Sequence, residues 1–304
     1  MMKLASIDIG TNTILLLIAE AGREGIKPLF EMETVVGLGR GLRRKGILSS
    51  EAINTGLATL TRYMERCRHM GVQDVIAVGT SALRDAGNSA EFLDRVKREV
   101  GLPIKIITGE EEAGLSFLAV TQDLKEAGRR LLVIDVGGGS TELILGRDNQ
   151  INHWTSLPLG SVRLTEQFLL SDPVRDEEWE GMEEEIRRLL RTAPDSETVP
   201  LMVAVGGTAT TLASVEQELQ EFSVEKIHHF VLGKDALAGQ LSLYRSKTLD
   251  ERKRIAGLFP NRTEVILAGG AILHAALDRY RCPSVMISCH GIRYGLIYDR
   301  IKER

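Results

Sequence analysis

Cysteine is scarce in this chain. Its 304 residues include Cys67, Cys282 and Cys289, with no CxxC pair and no even-numbered framework. That excludes a disulfide-stapled scaffold and makes a reducing cytoplasm the expected setting. Long apolar runs are missing as well: no stretch reaches the roughly 18 residues of a membrane span. The first apolar run carries Asp8 and Asn12, which argues against a signal peptide, so neither export nor a membrane partner is expected. Aromatic residues make up 5% of the chain, and Trp154 and Trp179 read as packing residues rather than base-stacking platforms. There is no excess of positive charge. A net charge of −4 argues against a nucleic-acid partner, although a local cluster of arginines can still meet a polyanion. The histidines His69, His153, His228, His229, His274 and His290 show no HxxxH or His/Cys ligand spacing and read as structural or surface residues, not zinc ligands.

What the chain does have is an internal echo. Leu131 to Asp135 is an apolar run ending in an aspartate. Gly137-Gly138-Gly139-Ser140-Thr141 follows as a turn, and a second apolar run leaves through Glu142. Near the N-terminus Ile7-Asp8-Ile9-Gly10-Thr11-Asn12-Thr13-Ile14 repeats the pattern, with Asp8 matching Asp135 and Leu15 matching Glu142. Val78-Gly79-Thr80-Ser81 answers Val205-Gly206-Gly207-Thr208 at a nearly identical offset. Two pairs in register argue for a duplication.

Each half reads as three strands followed by alternating helices and strands, in the order βββαβαβα. The first half has strands at 3–9, 13–20 and 27–36, a helix capped by Ser49 and Ser50, and a helix opened by Thr108 and Glu111. The second half has strands at 131–136, 141–147 and 150–157, then one helix over 161–192, and later a helix over 262–279. The class is α/β, with two ribonuclease-H-like domains facing across a cleft. The domains are expected at 1–127 and 128–304, with a linker near Lys125–Arg130 and a charged helical insertion at 220–260. A final helix at 291–304 is expected to pack back on the first half.

A glycine-rich turn presents consecutive backbone N–H groups to an anion, so the two matched turns read as a phosphate clamp. Asp135 and Glu142 flank their turn symmetrically, which sets two carboxylates opposite each other on one face. A divalent cation would relieve that repulsion. Glu112 starts an apolar helix edge, where a carboxylate with a raised pKa could act as a base towards water. Arg84, Arg163, Arg262 and Arg293 each follow a turn or open a helix, and the Arg40–Lys45 loop adds four basic residues.

Together with Gly79–Ala86, Gly109–Ala113, Leu157–Arg163, Gly257–Arg262 and Gly291–Gly295, these segments resemble the exopolyphosphatase/guanosine pentaphosphate phosphohydrolase (Ppx/GppA) family. That family is a branch of the actin-like ATPase superfamily, and the resemblance is to its short two-domain form. It implies Glu112, Asp135 and Glu142 as catalytic residues, with Asp135 and Glu142 on the metal. It also implies phosphate binding by Asp8, Gly10, Thr11, Asn12, Thr13, Arg84, Gly137, Gly138, Gly139, Ser140, Thr141, Gly207, Thr208 and Arg262. Mg²⁺ is the implied cofactor, with Mn²⁺ as an alternative, and a homodimer is implied as well. The chain departs from the family pattern at Leu15, Gly37 and Arg40.

The expected activity is hydrolysis of the terminal phosphate of inorganic polyphosphate, with guanosine pentaphosphate as the alternative substrate. Polyphosphate is preferred because a repeating polyanion can engage scattered basic residues and no base-recognition segment stands out. Two rivals come from other classes. One is a kinase of the same superfamily, with Val205–Thr211 as an adenosine loop. The other is a non-catalytic alarmone or polyphosphate sensor.

Overall fold

Side chains alternate between the faces of a strand, so near-continuous apolar runs such as Ile14–Ala19 supply both faces of a sheet. The computed structural model describes residues 2–22, 25–124, 128–195 and 200–302. Its first sheet contains β1 (Met2–Ile9), β2 (Thr13–Gly22), β3 (Gly25–Val35), β4 (Asp74–Gly79) and β5 (Lys105–Ile106), in the order β3-β2-β1-β4-β5. The first three strands form an antiparallel meander, and β4 and β5 extend it in parallel through helical crossovers. Ile7, Ile9, Ile14, Leu16 and Ile18 fill one face against Leu57 and Leu60 of helix Ser50–His69 and Phe92 and Val96 of helix Ser89–Glu99. Leu4, Leu17, Ala19 and Ala21 fill the other, covered by Tyr294 and Ile297 of helix Ile292–Lys302.

The last helix therefore belongs to the first compact unit, which comprises Met1–Ala119 and Ile292–Arg304. Polar groups fix it there. Ser6 Oγ donates to Arg293 O at 2.7 Å, Tyr294 OH donates to Glu31 Oε1 at 2.8 Å, and Arg300 pairs with Asp74 at 2.7 Å. The second unit is Val120–Gly291, so the division falls within helix Gly109–Leu124. Of the expected linker, residues 125–127 lie outside the described residues.

The second sheet contains β6 (Arg130–Val136), β7 (Thr141–Arg147), β8 (Gln150–Leu157), β9 (Leu201–Val205), β10 (Val231–Gly233) and β11 (Ser284–Ile287), in the order β10-β11-β9-β6-β7-β8. Without β10 it has the strand order of the first sheet. The duplication holds to the residue: Asp8 pairs with Leu15 across β1 and β2, and Asp135 pairs with Glu142 across β6 and β7. Leu132, Ile134, Leu143 and Leu145 join Trp179, Met182 and Ile186 in its core.

Three local expectations are corrected. The helix expected over 161–192 is two helices, Ser161–Phe168 and Asp176–Leu190. Pro173 stands in the gap, where a missing backbone donor and a fixed φ break helical bonding. The insertion is not all helix, since β10 adds an antiparallel edge strand; its three residues are too few to show a period. The helix expected from 262 begins at Ile266, after a 3₁₀ turn at Pro260–Arg262.

Candidate active site

Each unit builds its turn in the same way. In the first, Gly10 N donates to Thr13 O at 2.9 Å and closes the β1–β2 turn. The loop after β3 then takes up the turn's carbonyls: Gly39 N donates to Thr11 O at 2.8 Å, and Val36 N and Gly37 N donate to Asn12 O at 2.9 and 2.8 Å. A trans peptide points its C=O and N–H in opposite directions. The Asn12 and Thr13 N–H groups therefore face away from that loop. Asp8, at the end of β1, is buried beside them in sequence.

In the second unit Gly137 N donates to Ser140 O at 3.0 Å, the same closure. The start of helix Ser161–Phe168 braces the turn. Ser161 N donates to Gly137 O at 2.9 Å, Val162 N and Arg163 N donate to Gly138 O at 3.0 and 3.1 Å, and Arg163 Nε donates to Gly139 O at 2.9 Å. By the same geometry the N–H groups of Gly138, Gly139 and Ser140 face away from the helix as three successive donors, an anion-binding nest. Gly160 permits this close approach, because a Cβ there would collide with the Gly138 and Gly139 backbone.

Asp135 and Glu142 face each other in register and are both buried, Glu142 to 1% exposure. Glu142 is thus not a solvated strand residue. Ser156 Oγ of β8 donates to Glu142 Oε1 at 2.7 Å. Asp135 lies against Gly206, whose φ of +86° opens helix Gly206–Glu216 directly after β9. Thr208, in that first turn, donates to Val136 O at 3.3 Å, and the Arg262 guanidinium lies over Gly207, where any side chain would displace it. Asp135, Glu142, Gly206 and Thr208 are therefore assembled around the β6 terminus.

Glu112 sits in the first turn of helix Gly109–Leu124, whose start has the expected reciprocal cap: Glu111 N donates to Thr108 Oγ1 at 3.1 Å and Thr108 N to Glu111 Oε2 at 2.8 Å. The Glu112 carboxylate is buried, but its setting is not apolar. Arg84 Nη1 donates to Glu112 Oε2 at 2.6 Å and to Ile107 O at 2.9 Å. The four singled-out arginines thus have different duties. Arg84 holds Glu112, and Arg163 braces the turn. Arg262 covers Gly207, and Arg293 pairs with Glu31 at 3.1 Å.

Comparison with known proteins settles the family. The model of the Ppx/GppA phosphatase family matches residues 17–304. The chain belongs to the Ppx/GppA phosphatase family. Among its relatives in that family, Exopolyphosphatase 2 of Mycobacterium tuberculosis is 35% identical over 292 residues, covering 91% of this chain and 90% of the relative. The bifunctional 3-dehydroquinate synthase/phosphatase of Fusobacterium nucleatum is 31% identical; 99% of this chain spans 47% of that protein, so the chain is about half its length. Guanosine-5'-triphosphate,3'-diphosphate pyrophosphatase of Vibrio parahaemolyticus is 30% identical, over 98% of this chain and 59% of that one. The crystal structure of the Aquifex aeolicus Ppx/GppA family member matches at TM-score 0.85 and 34% identity, covering 100% and 99% of the two chains.

Two parts of this arrangement in the Ppx/GppA chain escape sequence reasoning. Ser156 carries no pattern that marks it as the partner of Glu142. Arg163 follows a turn in the sequence with nothing to show what it meets, and the structure uses it to fasten the Gly138–Gly139 turn from behind.

Proposed function

We propose that the protein is a phosphohydrolase that removes the terminal phosphate of inorganic polyphosphate. The observation that carries this reading is the twice-built turn, in which bracing loops occupy the carbonyls and leave successive N–H groups for an anion. In this reading those donors, Asn12–Thr13 in the first unit and Gly138–Ser140 in the second, each bind phosphate oxygens of the substrate. Glu112, fixed by Arg84, orients the attacking water and accepts its proton. Phosphoryl transfer of this kind depends mainly on positioning and on meeting charge.

Asp135 and Glu142 are suited to a hard cation. Both are buried oxygen donors in direct register, with a hydroxyl beside them, which fits Mg²⁺, with Mn²⁺ as an alternative. When bound, such an ion neutralises charge on the phosphate oxygens. Polyphosphate is preferred because Arg40, Arg43, Arg44 and Lys45 are exposed on one segment of the first unit, where the expected loop is in fact the short helix Leu42–Lys45, and because the mycobacterial relative that matches over nine-tenths of its length is named an exopolyphosphatase.

The guanosine pentaphosphate reading has its own support in the name of the Vibrio relative. Phosphate release measured side by side on the two substrates, with and without EDTA, tests both. Faster release from polyphosphate that EDTA abolishes supports the first reading. Release confined to guanosine pentaphosphate replaces it with the second, and EDTA-insensitive release removes the cation. Among the described residues no helix is long and apolar enough to cross a membrane. Cytoplasmic residence and a homodimer remain part of the proposal, to be checked by fractionation and sedimentation.

A further inference from the structure

The histidines lack ligand spacing along the chain, yet three of them gather around one carboxylate of the second unit. Asp123 lies in the last turn of helix Gly109–Leu124. His228 and His229 follow the short helix Val224–Ile227, and His290 follows β11. His229 Nε2 is 2.7 Å and His228 Nε2 3.2 Å from Asp123 Oδ2, while His290 Nδ1 is 3.5 Å from Asp123 Oδ1. The rings of His228 and His229 stack at 3.9 Å between centroids, and those of His228 and His290 tilt together at 4.4 Å. Ligand atoms of Asp123, His228 and His290 all lie within 4.8 Å of one another.

Asp123 Oδ2 serves two imidazoles at once, and ring nitrogens from two separate segments converge on one carboxylate. Convergent nitrogen and oxygen donors are what a borderline cation requires. The side chains of Asp123, His228 and His290 are 13–17% exposed and that of His229 is 43% exposed, which leaves an open side for entry.

We propose that Asp123, His228 and His290, with His229 as fourth donor, bind a transition-metal cation of the Zn²⁺ class at a site distinct from the hard Asp135–Glu142 pair. Imidazole and carboxylate donors select such ions, whereas carboxylate and hydroxyl oxygens suit Mg²⁺. Cys289 N donates to His228 Nδ1 at 3.1 Å, so the neutral His228 carries its proton on Nε2. Loading moves that proton to Nδ1 and gives up the Cys289 bond, which makes this a weaker site than one with its tautomers preset. The bound ion would fasten the end of the helix that carries Glu112 to the segments before β10 and after β11.

The test uses the full chain, stripped with chelator and titrated with Co²⁺ in excess Mg²⁺. The expected result is one equivalent bound with visible tetrahedral d–d bands that Zn²⁺ displaces. The bands should weaken at least tenfold in His290→Gln and Asp123→Asn and persist in Glu142→Gln. Absent bands in the wild-type protein overturn the site, as do bands that survive both substitutions or vanish in Glu142→Gln. X-ray absorption on the wild-type cobalt protein decides the matter without variants. Imidazole scattering supports the site, and an oxygen-only shell refutes it.

Discussion

Replacing Glu112 by Gln tests the mechanism at its most exposed point. The substitution keeps shape and an acceptor for Arg84 Nη1 but removes the charge and the proton-accepting oxygen. The pair is well shielded, with side-chain exposures of 22% for Arg84 and 8% for Glu112. A hydrogen bond to a charged group contributes about 1.5–3 kcal/mol and a neutral one about 1 kcal/mol, so the stability cost should be about 1–2 kcal/mol. Against a typical reserve of about 5–15 kcal/mol, the variant stays folded. Loss of a general base costs about 10²–10⁴-fold in rate. Phosphate release on polyphosphate, with a melting curve on the same sample, should thus show kcat down by that factor while Tm falls by only a few degrees. A variant that turns over within about threefold of wild type would remove Glu112 from the chemistry, because no general base is so dispensable. A rate loss matched by wholesale unfolding would instead make the Arg84–Glu112 pair a structural tie.

Gly160→Ala should destabilise the second unit by about 1–3 kcal/mol, because the added methyl meets backbone that cannot rotate aside; the same variant should raise KM for polyphosphate, and an unchanged denaturation midpoint would contradict the close approach. Burial pushes the Cys67 thiol from 9.0 up to about 11. A raised pKa in the folded state gives stability that is complete below pH 9 and lost as pH rises through 11, so wild-type stability should decline over that window and Cys67→Ala should flatten the decline. Truncation after Gly291 should leave the first sheet's Leu4, Leu17 and Ala19 face uncovered. Losing the burial of Ile292, Tyr294, Leu296 and Ile297, at about 1.5–3 kcal/mol each, removes as much as a whole domain's stability, so the truncated chain should aggregate; a soluble two-state truncation would refute it.

The architecture was largely legible because it is written twice. Asp8 and Asp135 close matched apolar runs, and the β1–β2 and β6–β7 registers reproduce that alignment residue for residue. The Thr108–Glu111 and Ser49 caps were readable because capping is local, satisfied within three residues. Reading failed where the deciding partner was distant or the element short. β10 is held by β11 rather than by its own period. The break after Phe168 is written in Pro173, although the amphipathic pattern runs on across it.

The sequence by itself determined the duplicated strand-and-turn plan, the α/β class and the carboxylates available for chemistry, because backbone periodicity, glycine turns and caps act between near neighbours. Only the tertiary structure decided what each polar side chain does. It gave Arg84 to Glu112, Arg163 to the turn carbonyls, Arg293 to Glu31, and His228, His229 and His290 to Asp123. Hydrogen bonds and ion pairs act over a few ångströms, and residues distant in sequence come within that range only after the strands have found their order.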